Sequence, residues 1–171
     1  DVGALKTRAT TEKDHYLIRG QKVYITWGEH DMTENIVHLG LARLPDATLG
    51  VKGISLFLVP KVLVNEDGSL GEKNDLKALS LEDKIGIHAC PTCVMSYGDK
   101  TGAIGYLVGE ENKGMQCMFT MMNNARLTVG LQGVSIAERA YQQALSFCKE
   151  RIQGIAPGYQ DAGPIIRHPE D

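Results

Sequence analysis

The stretch KVYITWGEHD, Lys22 to Asp31, sets an aromatic ring and a hydroxyl two residues apart and follows them with a glycine and an acidic turn. In a strand, alternation puts Val23, Ile25 and Trp27 on one side and Lys22, Tyr24 and Thr26 on the other. A surface strand usually keeps its second face charged. Here that face offers Tyr24 beside Thr26, a flat ring next to a hydrogen-bonding group, which suits a planar ligand with a polar edge. It suits an ordinary cross-strand pair equally well, because both residue types favour strands. The residues alone leave the two readings open.

The other constellation is HACPTC, His88 to Cys93. A structural zinc needs four ligands, and Cys117 and Cys148 lie far along the chain without a second paired motif. A thioredoxin-like thiol pair opens a helix, whereas TCVMSY reads as a strand. Cys90 and Cys93 are therefore expected to be small, half-buried turn and strand residues. His38 and His88 have no acid at a recognisable spacing, so neither is assigned as a base. GEENKG, Gly109 to Gly114, lacks the glycine spacing of the nucleotide-binding fingerprints.

Short β-branched and aromatic runs bounded by Gly, Pro, Asp or Asn must position these residues. They are HYLIRG (His15–Gly20), KVYITW, NIVHLGLARL (Asn35–Leu44) and GISLFLVP (Gly53–Pro60), with further strands expected at Asp75–Glu82, Thr92–Tyr97 and Ile104–Val108. LIRGQKVYI reads as a hairpin turning at Gly20-Gln21. Val37, Leu39 and Leu41 alternate toward a core, and ISLFLV, apolar on both faces, reads as a central strand. Asn65 to Gly71 is a solvated turn or excursion. Evenly spaced strands of this kind predict an antiparallel barrel or sandwich.

The period changes after Gly114. From Met115 to Arg151 there is no proline, and Gly130, Gly133, Ala137, Ala140 and Ala144 recur at helical spacing. Two interior glycines cost about 1 kcal/mol each relative to alanine, so a packing reason is expected for that stripe. A lone helix cannot bury it together with Leu131, Val134, Leu145 and Cys148. Its partners are expected from a longer chain or from another copy of this one. The fold class is thus α+β: a β-barrel or sandwich over residues 1–112, then the start of a helical domain over 113–171.

The chain has 171 residues, 43% hydrophobic and 23% charged, with a net charge of -3. These values fit one globular domain or slightly more, and no polyanion-binding signature favours nucleic acid. No apolar run approaches the roughly 18 residues of a membrane span. Four cysteines in such a chain do not make a disulfide scaffold, so a cytoplasmic location is expected. Asp1 opens a polar stretch without a methionine, and GPIIRHPED ends where a new element should begin. The expectation is a piece of a longer protein.

Taken in order, several blocks resemble the acyl-CoA dehydrogenase family. DVGALKTRAT and YLIRGQKVYIT resemble the opening of its middle domain, GISLFLVPK the next block, and KIGIHACPTCVMSYGD the one after. GYLVGEENKGMQCMFTMMNNARLTVGLQGVSIAERAYQQALSFCKERIQG resembles the crossing into its carboxyl-terminal helical domain. The resemblance covers nearly the whole chain and extends to the branch that includes the 3-methylthiopropanoyl-CoA dehydrogenases.

The resemblance implies an FAD-dependent α,β-dehydrogenation of an acyl-CoA thioester, with electrons passing on to an electron-transfer flavoprotein. It implies that the aromatic-Ile-Thr tripeptide, here Tyr24, Ile25 and Thr26, lies against the isoalloxazine ring with the Thr hydroxyl at the N5 edge. Tyr stands where Trp is more usual. Arg126 matches an Arg that contacts the CoA-bearing substrate, with Asn123 where the family motif has Asp. Arg151 matches an Arg that reaches the FAD diphosphate of a neighbouring subunit, so a homo-oligomer is implied. A guanidinium fork suits a diphosphate. The family's catalytic Glu lies further along the helical domain, so no catalytic residue is assigned and the chain by itself is expected to be inactive. The rival reading is a non-catalytic binding or assembly module on the same fold.

Overall fold

A computed structural model describes residues 1–169. Nine strands precede one long helix: β1 (Arg8–Thr11), β2 (Tyr16–Thr26), β3 (Val37–Arg43), β4 (Ile54–Pro60), β5 (Val62–Val64), β6 (Leu70–Lys73), β7 (Leu76–Leu81), β8 (Thr92–Tyr97), β9 (Ala103–Val108) and α1 (Gly114–Glu150). The chain divides into two compact units, Asp1–Thr120 and the segment from Met121 onward.

Five strands close a ring in the order β1, β3, β4, β9, β2 and back to β1, and β8 then β7 extend from β2. All pairings are antiparallel except a single parallel bridge, Arg8 to Arg43, that shuts the ring between β1 and β3. Closure removes unpaired edges that would otherwise template aggregation. β5 and β6 form a separate hairpin around the polar turn at 65–69. The barrel followed by a helix expected from the periodicities is present.

Two local expectations are overturned. No hairpin turns at Gly20: β2 is one strand of 11 residues. Its first half pairs with β1 and β9, and its second half, from Gly20 on, pairs with β8. Gly20 is a corner, at φ 137°, where a Cβ would come within 3.0 Å of the Thr7 Cα. Only a glycine lets the strand turn from one partner to the next against that backbone.

The faces of β3 are also reversed. His38, Gly40 and Ala42 point inward, while Val37 and Leu39 are exposed. The interior is already filled by Phe57, Val59, Ile18, Met95 and Tyr97, so the strand that crosses it must present small residues and one hydrogen-bonded imidazole. Each large side chain buried here contributes about 1.5–3 kcal/mol, and volume rather than polarity decides which face fits. β4 matches its central reading, with Ile54, Ser55, Leu56 and Phe57 buried between β3 and β9.

The helix begins against this sheet. The Asn112 N–H donates to the Ser55 hydroxyl at 2.8 Å, Tyr16 donates to Glu111 at 3.0 Å, and Met118 is buried. Gly114 sits so close to β4 that a Cβ would lie 2.4 Å from the Ser55 carbonyl carbon. From Met121 the helix is almost wholly exposed, with Leu127, Leu131, Val134, Ile136 and Phe147 open to solvent.

The two kinds of helix glycine should therefore respond oppositely to the same change. Gly114→Ala forces backbone apart and should destabilise the fold by about 1–3 kcal/mol. Gly130→Ala meets nothing within 4 Å and should stabilise this chain by about 0.5–1 kcal/mol. Urea unfolding of the two variants checks both signs.

Candidate functional site

The segment singled out by its chemistry is also the most distorted part of the sheet. Against β8, Lys22 pairs with Met95, and the next pairs are Ile25 with Cys93 and Thr26 with Thr92. Two residues, Val23 and Tyr24, thus face the single Val94, which is a β-bulge. Tyr24 takes φ 58°, a left-handed conformation uncommon for any residue but glycine, and Trp27 takes φ 57° just beyond the strand. The left-handed pair brackets Ile25 and Thr26.

The bulge revises the simple alternation. Lys22 and Ile25 now share the inward face with Met95 and Cys93, while Val23 joins Tyr24 and Thr26 on the outside. Ile25 is half-buried against the core cluster. Tyr24 is 71% exposed. Thr26 is exposed, and its hydroxyl makes no hydrogen bond among the described residues. An open ring beside an unbonded hydroxyl fits the polar edge of a flat heterocycle such as a flavin.

Lys22 shows the cost of this arrangement. Turned toward the barrel side without an ion-pair partner among the described residues, its ammonium is pulled down to about 8 by burial. The charged form is the one that a low-dielectric setting disfavours.

Behind the strand end, a tight corner is held from several sides. The Trp27 N–H donates to the Pro91 carbonyl at 2.8 Å, and the Gly28 N–H to the Ile25 carbonyl at 3.2 Å. A Cβ on Gly28 would meet the Met95 Sδ at 3.0 Å and the Cys93 Cβ at 3.1 Å. The next residue, Glu29, is ion-paired with Lys61. Trp27 and His30 meet edge to face at 5.7 Å. Between this corner and the loop before β8 lies an open pocket of ≈ 410 Å³, lined by Trp27, His30, Met32, Leu81, His88 and Pro91 among others.

Deeper still, His38 is buried, and its Nδ1 lies 2.6 Å from the Tyr97 hydroxyl. Sequence reading found no acid for His38. Its partner is a phenol 59 residues away, brought opposite only by barrel closure. Tyr97 is pushed far above the usual phenol range, chiefly by burial, so it keeps its proton in this contact.

The remaining sequence-predicted residues lie on the second unit. Asn123 and Arg126 are one turn apart on α1, and the Arg126 guanidinium donates to the Asn123 side-chain oxygen at 3.2 Å. Arg151 directly follows the helix. Its N–H closes the last turn on the Phe147 carbonyl at 2.8 Å, its carbonyl accepts from Ile165 at 2.8 Å, and its side chain is exposed. Cys90 and Cys93 are free thiols, the first half-buried and the second fully buried.

No family model matches the chain. Curated relatives do. The chain is 53% identical over 173 residues to the 3-methylmercaptopropionyl-CoA dehydrogenase of Ruegeria pomeroyi, covering 99% of this chain and 29% of that protein. It is 41% identical over 175 residues to a butyryl-CoA dehydrogenase of Syntrophomonas wolfei, covering 98% and 28%. Among solved structures, butyryl-CoA dehydrogenase from Megasphaera elsdenii superposes at a TM-score of 0.70 with 26% identity, over 98% of this chain and 38% of that one.

The chain belongs to the acyl-CoA dehydrogenase family.

It spans less than two fifths of the length of these relatives. The nine-stranded unit corresponds to the acyl-CoA dehydrogenase middle domain, and α1 to the start of the family's helical domain. Among the described residues no helix is long and apolar enough to cross a membrane.

The buried ammonium generates a pH prediction. The folded Lys22 value lies below its unfolded one, so the unfolded state binds more protons between about pH 8 and 10.5. Stability should therefore rise as pH increases through that window, and the penalty is fully present below it. Lys22→Met should raise stability at pH 7 on the order of 1 kcal/mol and abolish the rise. Urea midpoints at pH 7 and 10 for both proteins check this.

Proposed function

We propose that the chain is the flavin- and substrate-binding portion of an FAD-dependent acyl-CoA dehydrogenase. The observation that carries the reading is the outward display of the Tyr24 ring and the unbonded Thr26 hydroxyl by a bulged strand. In this reading, residues 1–112 form the flavin and substrate domain, and 113–171 begin the helical domain.

Each residue has a role that follows from its chemistry. Thr26 donates its hydroxyl hydrogen to the flavin N5 edge, where it fixes the ring and tunes its electron demand. Tyr24 packs its ring near the isoalloxazine, and Ile25, anchored in the core, holds both at a constant height. Arg151 places a guanidinium fork for the FAD diphosphate of a neighbouring subunit, so the working protein is a homo-oligomer. Arg126, steadied by Asn123, contacts the CoA-bearing substrate. When bound there, a flavin would supply two-electron oxidation of the acyl thioester, with an electron-transfer flavoprotein as the electron acceptor. The base for the α-proton is supplied from outside these 171 residues, and the chain alone is inactive. Four free cysteines accord with the reducing cytoplasm.

In the full-length protein, Thr26→Val removes a hydroxyl while keeping the shape, and it should weaken FAD retention or slow flavin reduction about 2- to 12-fold. That range corresponds to a hydrogen bond of about 0.5–1.5 kcal/mol. Thr48→Val, at an exposed threonine elsewhere on this unit, should change neither. Flavin release on dilution and stopped-flow bleaching by acyl-CoA measure both; equal effects from the two substitutions would remove the flavin from beside Thr26.

A further inference from the structure

We infer that His38 is a positioning residue for the flavin strand, setting the Trp27–Gly28 corner and through it the Thr26 edge. This rests on the reading of Thr26 given above. The imidazole stands on β3, inside the barrel, and joins two elements that the sequence keeps far apart. On one side its Nδ1 lies 2.6 Å from the Tyr97 hydroxyl of β8. On the other, its ring is directed toward the backbone of Gly28, in the corner that follows β2. Its Nε2 is fully buried and completes no hydrogen bond of good geometry.

A buried polar atom left short of its partner is costly unless something else requires it there. In the tautomer that lets Tyr97 donate to Nδ1, the imidazole proton sits on Nε2 and faces the Gly28 side. Gly28 itself cannot move inward, because Met95, Cys93 and Ile25 fill the space a Cβ would need. It is held from the other side through the Trp27 bond to Pro91. His38 thus supplies the inner wall of a corner whose outer wall is the loop before β8. The left-handed Trp27 lies between them, and a small displacement there is transmitted directly to the neighbouring Thr26.

Burial holds the proton affinity of the imidazole below its ordinary value; the Gly28 backbone and the Glu29 carboxylate oppose that, and the Lys61 ammonium and the neighbouring His30 support it. Tyr97, on the remaining side, stays protonated, with the buried Cys93 thiol beside it. Protonating His38 would place a cation among these groups and disturb the corner, so the strand is expected to loosen as pH falls through the imidazole range.

The test uses the full-length flavin-loaded protein with three substitutions, His38→Leu, His38→Gln and Tyr97→Phe. Hydrogen-exchange mass spectrometry follows the segment 22–31, and the flavin absorption envelope and midpoint potential are recorded against pH. His38→Leu and Tyr97→Phe should speed exchange in that segment about 3- to 10-fold, the effect of losing one hydrogen bond. They should also shift the flavin envelope and remove the pH dependence of the potential near the imidazole range. His38→Gln, which can still accept from Tyr97 and donate toward Gly28, should restore exchange and envelope without restoring the pH dependence. Unchanged exchange in the Leu and Phe variants, or equal loss in Gln and Leu, overturns the assignment. If His38→Leu does not fold, Tyr97→Phe against wild type decides alone. Faster exchange at 22–31 with a flavin signal that never responds would uphold the role of His38 at the corner and overturn the placement of the flavin at Thr26.

Discussion

The flavin-facing surface proposed for this chain depends on one extra residue in β2. Opposite Val94 the strand carries Val23 and Tyr24 where a regular ladder has room for one. A bulge sharpens the local twist and changes which side chains face out. Without it, strict alternation from an inward Lys22 would turn Tyr24 and Thr26 into the core and Ile25 out of it. With it, the outer surface is free of charge at the point where a ring and a hydroxyl are displayed, and Ile25 is available as an anchor. The cost is visible in two places: a left-handed tyrosine and a lysine half-withdrawn from water. Strain of this kind persists where the surrounding structure over-determines it.

That over-determination comes from barrel closure. β2 is bonded to three strands in succession because Gly20 lets it turn a corner, and its second half is committed to β8. β8 in turn carries Cys93, Met95 and Tyr97 into the shared core. The same closure brings His38 of β3 against Tyr97. A surface feature and a buried polar contact therefore have a common origin in the closure of the same strands.

The unit beginning at Met121 has a different logic. Its helix is long and regular, and apolar residues such as Leu127, Leu131 and Val134 are exposed among the described residues. Glycines at 130 and 133 with open space around them weaken a helix unless something approaches closely. The relatives are more than twice as long as this chain, and a helix face of this composition is what a larger assembly would cover. Arg126 and Arg151 sit on or beside the same helix, so the roles proposed for them belong to that assembly.

How far the residues alone reached can be argued element by element. Strands β2 to β4 and β7 to β9, the central place of β4 and the long helix were legible, because they depend on local periodicity and breakers. The inward face of β3, the corner at Gly20, the bulge after Lys22 and the pairing of His38 with Tyr97 were not. Each is decided by a competition for volume or by a partner distant in sequence. Val37 and Leu39 are more apolar than His38, Gly40 and Ala42, yet they lie outside because Phe57, Val59 and Tyr97 had already filled the barrel. A sequence records which side chains prefer to leave water; only closure of the barrel determines which of them find room to do so.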